Sequence, residues 1–309
     1  MSSIEQAARR LEELRRAGAD VAPVTARDDN AVPTPEALVR TLQLREADRA
    51  AQTPVPPQGE SHEHREERRV ELDLIKLRSM GFVTPESGAT KIADEFRVIK
   101  RPIIRNALGL DGSRIKHGNL VMVTSAQPRE GKTFTSVNLA LSIAMEFNST
   151  VLLVDGDVAH PTLPSLLGSP PSPGLLDLLT SGASVGDALV KTNIERLSLL
   201  PAGSRHPRAT ELLASAHMGA LLAELSERYR DRIIVFDSPP LLATTEARVM
   251  AMHMGQIVMV VAADQTTQHA VSQALATIES CEVVLMLLNK CSQTEVGSYY
   301  GYYANRPER

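Results

Sequence analysis

The residues most able to do chemistry in this chain lie in one short segment, Ala126-Gln127-Pro128-Arg129-Glu130-Gly131-Lys132-Thr133-Phe134. An apolar run precedes it and a helical pattern follows it, so Gly131-Lys132-Thr133 should open a helix after a tight loop. In such a P-loop the backbone N–H groups and the helix N-terminus cradle phosphate oxygens. The Lys reaches the terminal phosphates and the Thr hydroxyl binds Mg²⁺. The nine residues from Ala126 to Phe134 are therefore the candidate nucleotide-binding set. One departure from the usual pattern is that Ala126 stands where the first Gly would be.

A lone Gly-Lys-Thr is weak evidence, but two further segments bring carboxylates. Val151-Leu152-Leu153-Val154-Asp155-Gly156-Asp157 is an apolar strand ending in paired acids, and Arg232-Ile233-Ile234-Val235-Phe236-Asp237 ends in another. In a parallel sheet the carboxyl ends of neighbouring strands meet at one edge, where ligands bind. Lys132 with Thr133, Asp155 with Asp157, and Asp237 should thus share a crevice. Thr133, Asp155 and Asp237 are the candidate Mg²⁺ ligands, since hydroxyl, carboxylate, water and phosphate oxygens suit that ion. Asp157 has a simpler alternative reading, as a cap for the helix that follows.

The elements that must position these groups are legible as short apolar runs alternating with helical stretches. Strands are expected at 120–125, 150–155, 197–201, 232–237, 256–262 and 283–288, with amphipathic helices at 133–146, 209–229 and 269–279. Continuous Val/Ile/Leu strands separated by helices predict a mostly parallel sheet covered on both faces, an α/β three-layer P-loop NTPase domain. That domain is expected over 86–292, after a flexible N-terminal arm (1–85) and before a tyrosine-rich tail (293–309). The arm is Pro-rich between Asp20 and Glu60. Its later part, His62 to Arg78, is charge-dense and reads either as a docking stripe of Val70, Leu72, Ile75 and Leu77 or as a solvated helix.

Composition bounds the function. A hydrophobic fraction of 43% supports a packed core, and a formal charge of −4 argues against a nucleic-acid partner. The only two cysteines, Cys281 and Cys291, fit neither a zinc clip nor a redox pair. No apolar run approaches the ~18 residues of a membrane span, and no signal-peptide core opens the chain, so a cytoplasmic protein is expected. Aromatic residues make up 3%, with no Trp, and four of the five tyrosines are Tyr299, Tyr300, Tyr302 and Tyr303.

The P-loop, the strand ending in Asp155-Gly156-Asp157 and the strand ending in Asp237-Ser238-Pro239-Pro240 together resemble the bacterial tyrosine kinases, the P-loop autokinases of polysaccharide export. The similarity runs from about Lys91 to Tyr303, and the wording of Asp94-Glu95-Phe96-Arg97-Val98-Ile99-Lys100-Arg101 resembles the exosortase- and exopolysaccharide-associated members. The resemblance implies ATP and Mg²⁺ as cofactors. Lys132 would stabilise the transferred phosphoryl group, Asp155 would hold the metal and act as base, Asp157 would support it, and Asp237 would fix the metal through water. Positioning and charge neutralisation do most of the work in phosphoryl transfer.

By the same resemblance, Tyr299, Tyr300, Tyr302 and Tyr303 would accept phosphate between subunits, and Asp94, Arg97 and Lys100 would stand in the helix that assembles a ring. Lys100 replaces the family's Arg there and cannot make its planar bidentate contact. His160 follows Ala159 where the family commonly carries an Arg. A membrane-embedded co-polymerase partner would complete the site, leaving the chain peripheral to the inner membrane. Two other readings are a partitioning-type ATPase, opposed by Gln127 at the position of that group's extra Lys, and a nucleotide-dependent scaffold without kinase activity, left open by Ala126 and Ala159.

Overall fold

The computed structural model describes residues 68–109, 112, 115–229 and 231–292. The central strands are β2 (Leu120–Ser125), β3 (Thr150–Asp155), β6 (Arg232–Asp237) and β7 (Gln256–Ala262). Nearly every residue in them is buried, because helices cover both faces and neither face needs polar side chains. All four match the expected bounds, and they lie side by side in the sheet in the order β3-β6-β2-β7.

Among the described residues the sheet has eight strands. β1 (Arg69–Val70), β4 (Val190–Thr192), β5 (Leu197–Leu200) and β8 (Val283–Asn289) complete the order β1-β4-β5-β3-β6-β2-β7-β8. Every pairing is parallel except β4 with β5. Alternate residues face opposite sides. Leu120, Met122, Leu152, Val154, Ile234 and Phe236 enter one core, while Val121, Val123, Val151, Leu153, Ile233 and Val235 enter the other.

The helices are α1 (Leu74–Ser79), α2 (Lys91–Leu108), α3 (Lys132–Ala144), α4 (Leu163–Leu167), α5 (Leu175–Thr180), α6 (Val185–Ala188), α7 (Ala209–Leu213), α8 (Ala216–Arg228), α9 (Thr245–Ala251) and α10 (Gln268–Ala276). α2 starts where Thr90 accepts the Ala93 N–H and stops at Gly109, whose φ of 63° closes the last turn. The single helix expected over 209–229 is two. Ser215 interrupts it, and its hydroxyl accepts the Met218 N–H to cap a new start.

The expected arm boundary at residue 85 does not hold for 68–85. Val70 pairs with Thr192 in the sheet, Asp73 caps α1 by accepting the Lys76 N–H, and Val83 N–H donates to Asn138 Oδ1 at 2.7 Å. Val70, Leu72 and Leu77 are buried with Phe82 and Val83, and only Ile75 of the supposed stripe is exposed. Charge density on Glu66 to Arg69 masked an alternating pattern too short to stand out. Residues before 68 and the tail after 292 lie outside the described residues, so the arm and tail expectations there are not addressed by the fold.

Candidate active site

β2 delivers the P-loop. Its last residues are locked to the neighbouring β6–α9 connection: Ser238 N–H donates to Val123 O, Leu241 N–H to Ser125 O and Thr124 Oγ1 to Pro239 O. Ala126 is buried, its backbone lies outside the left-handed region, and its carbonyl accepts the Leu242 N–H at 3.2 Å. A methyl group is therefore accommodated where the usual pattern has Gly. The loop then turns through two left-handed residues, Arg129 (φ 65°) and Gly131 (φ 100°), and Gly131 opens α3 without any side-chain cap. The first N–H groups of α3 stay available for an anion.

Lys132 and Thr133 begin α3, as the sequence requires. Burial pushes the Lys132 ammonium below its usual value, and Asp237, Asp157 and Glu130 pull it back up. The charges that favour a protonated Lys132 are those of the expected site, so β2, β3 and β6 do bring their chemistry to one edge.

Asp155 and Asp237 are directly opposite in the β3–β6 register. Both are buried, and each has one oxygen, Oδ1, with no hydrogen-bond partner. Burial, then the neighbouring Asp237, lifts the Asp155 carboxyl to about 7, against the Leu163 N–H that donates to Oδ2 at 3.1 Å. Asp237 is lifted to about 6 by burial, while the hydroxyls of Thr133 and Ser136 and the Lys132 ammonium favour its charged form. Two buried, partly unpaired carboxylates beside a hydroxyl at a helix N-terminus fit a hard divalent cation that draws its remaining ligands from phosphate and water. Among the described residues no group of three or more His, Cys, Asp or Glu could hold a metal alone.

Asp157 is half-buried and is likewise raised, first by burial. Its Oδ1 accepts the His160 N–H at 3.0 Å, so the capping role exists beside its electrostatic contact with Lys132. Asp94 and Arg97 form an exposed ion pair at 2.6 Å on α2. Lys100 is different: only 5% exposed, it donates to Ser142 O at 2.7 Å and pairs with Glu146 at 2.6 Å. It fastens α2 to α3 instead of facing outward, which its helical spacing from Arg97 did not reveal.

Sequence reasoning missed Ser136, whose hydroxyl lies against Asp237, and the buried Ser238. It also missed Asn289, the last residue of β8, and Lys290 next to it, which bond to the P-loop. An Asn-Lys pair closing an apolar strand was the available signal.

The AAA domain family matches residues 122–289, more than half of the chain. The tyrosine-protein kinase YwqD of Bacillus subtilis is 30% identical over 187 residues, which is 60% of this chain and 78% of YwqD. The chain belongs to the bacterial tyrosine-protein kinase family. Within that family, the tyrosine-protein kinase Wzc of Salmonella typhimurium is 33% identical over 188 residues, 60% of this chain but 26% of Wzc, so the chain spans about a quarter of that relative. The kinase domain of the Escherichia coli tyrosine kinase ETK shares the fold, with a TM-score of 0.59 and 24% identity over 69% of this chain and 81% of that one. Among the described residues of this kinase-family chain, no helix is long and apolar enough to cross a membrane.

Proposed function

We propose that this chain is an ATP-dependent, Mg²⁺-requiring protein-tyrosine autokinase, with Tyr299, Tyr300, Tyr302 and Tyr303 as its acceptors. The observation that carries the reading is the Asp155 carboxyl. It is buried at the strand end beside the P-loop, anchored through one oxygen and free at the other, and lifted to about 7. With a cation bound beside it this carboxylate would be ionised, and a buried carboxylate at that strand end could take the proton of an incoming phenol.

Thr133, Asp155 and Asp237 would hold Mg²⁺, which neutralises charge on the phosphate oxygens when bound. The P-loop amides and the α3 N-terminus orient the phosphates, and Lys132 adds positive charge where negative charge builds up during transfer. Asp237, held by the Thr133 and Ser136 hydroxyls, orients Thr133 in turn. Asp157 tunes Lys132 and supports the Asp155 loop.

Transfer between subunits suits a tail acceptor, and several phosphates of about −1.5 to −2 charges each would repel the acidic site and favour disassembly. Asp94 and Arg97, exposed on α2, are the residues assigned to self-association into a ring, while Lys100 shapes that helix from beneath. We assign the segment before residue 68 to docking on a membrane-embedded co-polymerase activator, which would place the chain peripherally at the inner membrane in the control of exopolysaccharide export. Incubating the purified chain with ATP and Mg²⁺, with and without the activator's cytoplasmic tail, and probing for phosphotyrosine tests the reading. No signal in either case would sink it.

A further inference from the structure

The P-loop has to do something its own residues do not secure. To cradle an anion, the peptides around Glu130 must point their N–H groups inward and their carbonyls outward. Arg129 and Gly131 both sit at positive φ, 65° and 100°. Such backbone persists only where the surroundings determine it, and Arg129 lacks the freedom of a glycine. A peptide that flipped would turn a carbonyl oxygen toward the phosphates and remove a donor at the same time.

The restraint comes from the far edge of the sheet. Asn289 Nδ2 donates to Glu130 O at 2.9 Å, and Lys290 Nζ donates to Arg129 O at 2.7 Å while also reaching Gln265 Oε1 at 3.2 Å. The two carbonyls that have to stay outward are thus each held by one side chain from the end of β8. Asn289 comes so close that a Cβ built on Gly131 would lie 2.0 Å from its Nδ2, so the glycine serves this approach as well as the turn. The Glu130 carboxylate, 3% exposed, faces the other way: it accepts the Gln127 N–H at 2.5 Å and the Ala262 N–H at 3.4 Å, and a bond from the Thr266 hydroxyl.

We infer that Asn289 and Lys290 are positioning residues for nucleotide binding, which hold the Glu130 and Arg129 carbonyls outward and so keep the P-loop N–H groups aimed at the phosphates. The inference rests on the nucleotide-binding reading above. It assigns to β8 a part in the site that neither the Gly-Lys-Thr segment nor the acidic strands supply. Asn289→Asp is the sharpest probe, because it keeps the shape but sets an acceptor against Glu130 O. Lys290→Met removes the donor from an exposed side chain, and Lys290→Arg restores one.

The test is calorimetric titration of the full chain with Mg·ADP, together with thermal melting and backbone amide hydrogen exchange over residues 129–132 without nucleotide. Asn289→Asp and Lys290→Met should each weaken Mg·ADP roughly tenfold, as loss of one hydrogen bond that holds the loop in its binding form implies. Lys290→Met should do so with an unchanged melting temperature and faster exchange in the loop, and Lys290→Arg should return affinity to within about threefold of wild type. Wild type that binds Mg·ADP while Lys290→Met binds it equally well, with unchanged loop exchange, would overturn the inference and leave the nucleotide reading standing. Wild type that fails to bind Mg·ADP would overturn both. If Asn289→Asp does not fold, the Lys290 pair decides.

Discussion

Asp155 and Asp237 face each other across two adjacent parallel strands, each with an unpartnered Oδ1 and each with its carboxyl lifted by burial, to about 7 and about 6. Two such groups are costly to ionise side by side in a protein without a cation, and they become favourable once a divalent ion neutralises them. A divalent cation bound between them would offset this cost.

Asp155→Asn separates stability from activity. The folded-state carboxyl sits above the ordinary 3.8, so the folded protein holds its proton more tightly than the unfolded chain does. Its contribution is therefore complete below about pH 4 and declines as pH rises toward about 7. Without metal, Asp155→Asn should be more stable than wild type at pH 8 by on the order of 2 kcal/mol, with the gap closing toward pH 4. Thermal melting across that range in chelator checks it, and phosphotransfer should fall at least about a hundredfold.

Leu72→Ala should destabilise the protein by about 2–4 kcal/mol, as for other deletions of a fully buried leucine. Leu72 is 2% exposed and its backbone N–H donates to Asn193 Oδ1 at 3.0 Å, so residues 68–83 behave as part of the domain. A denaturant titration showing a change under 0.5 kcal/mol would contradict this.

Lys100 and Arg97 should respond differently although both were read as one helix motif. Lys100→Met leaves the Ser142 carbonyl without its donor and Glu146 without its partner, and should cost about 1–3 kcal/mol. Arg97→Ala breaks only an exposed pair with Asp94 and should change stability by less than about 0.5 kcal/mol while weakening self-association. Unfolding curves and sedimentation velocity read the two effects separately.

Much of this was visible in the sequence, for identifiable reasons. β2, β3 and β6 are uninterrupted apolar runs, and being buried on both faces is what makes such runs long and their carboxyl-end acids conspicuous. β1 and β4, two and three residues long, leave no periodicity to detect. Lys100 looked like a surface charge because helical spacing does not tell which face α3 covers. The bonds from Asn289 and Lys290 span some 160 positions, and only the sheet order that puts β7 between β2 and β8 brings them to the P-loop. The tail tyrosines lie outside the described residues, and the acceptor role proposed for them rests on the family resemblance.

Gly131→Ala should abolish nucleotide binding. The new methyl group would displace the Asn289 amide from Glu130 O and sit on a backbone with φ of 100°, so the loop is both strained and released from β8. Calorimetry with Mg·ADP should show no heat of binding at concentrations that saturate wild type.

The most direct measurement is phosphotyrosine formation by the full chain in ATP and Mg²⁺ with the activator's cytoplasmic tail present, followed by mapping of the modified residues. Phosphate on Tyr299, Tyr300, Tyr302 or Tyr303, lost in Lys132→Ala and in chelator, is the result expected. ATP binding without any phosphotyrosine in wild type would contradict the autokinase reading.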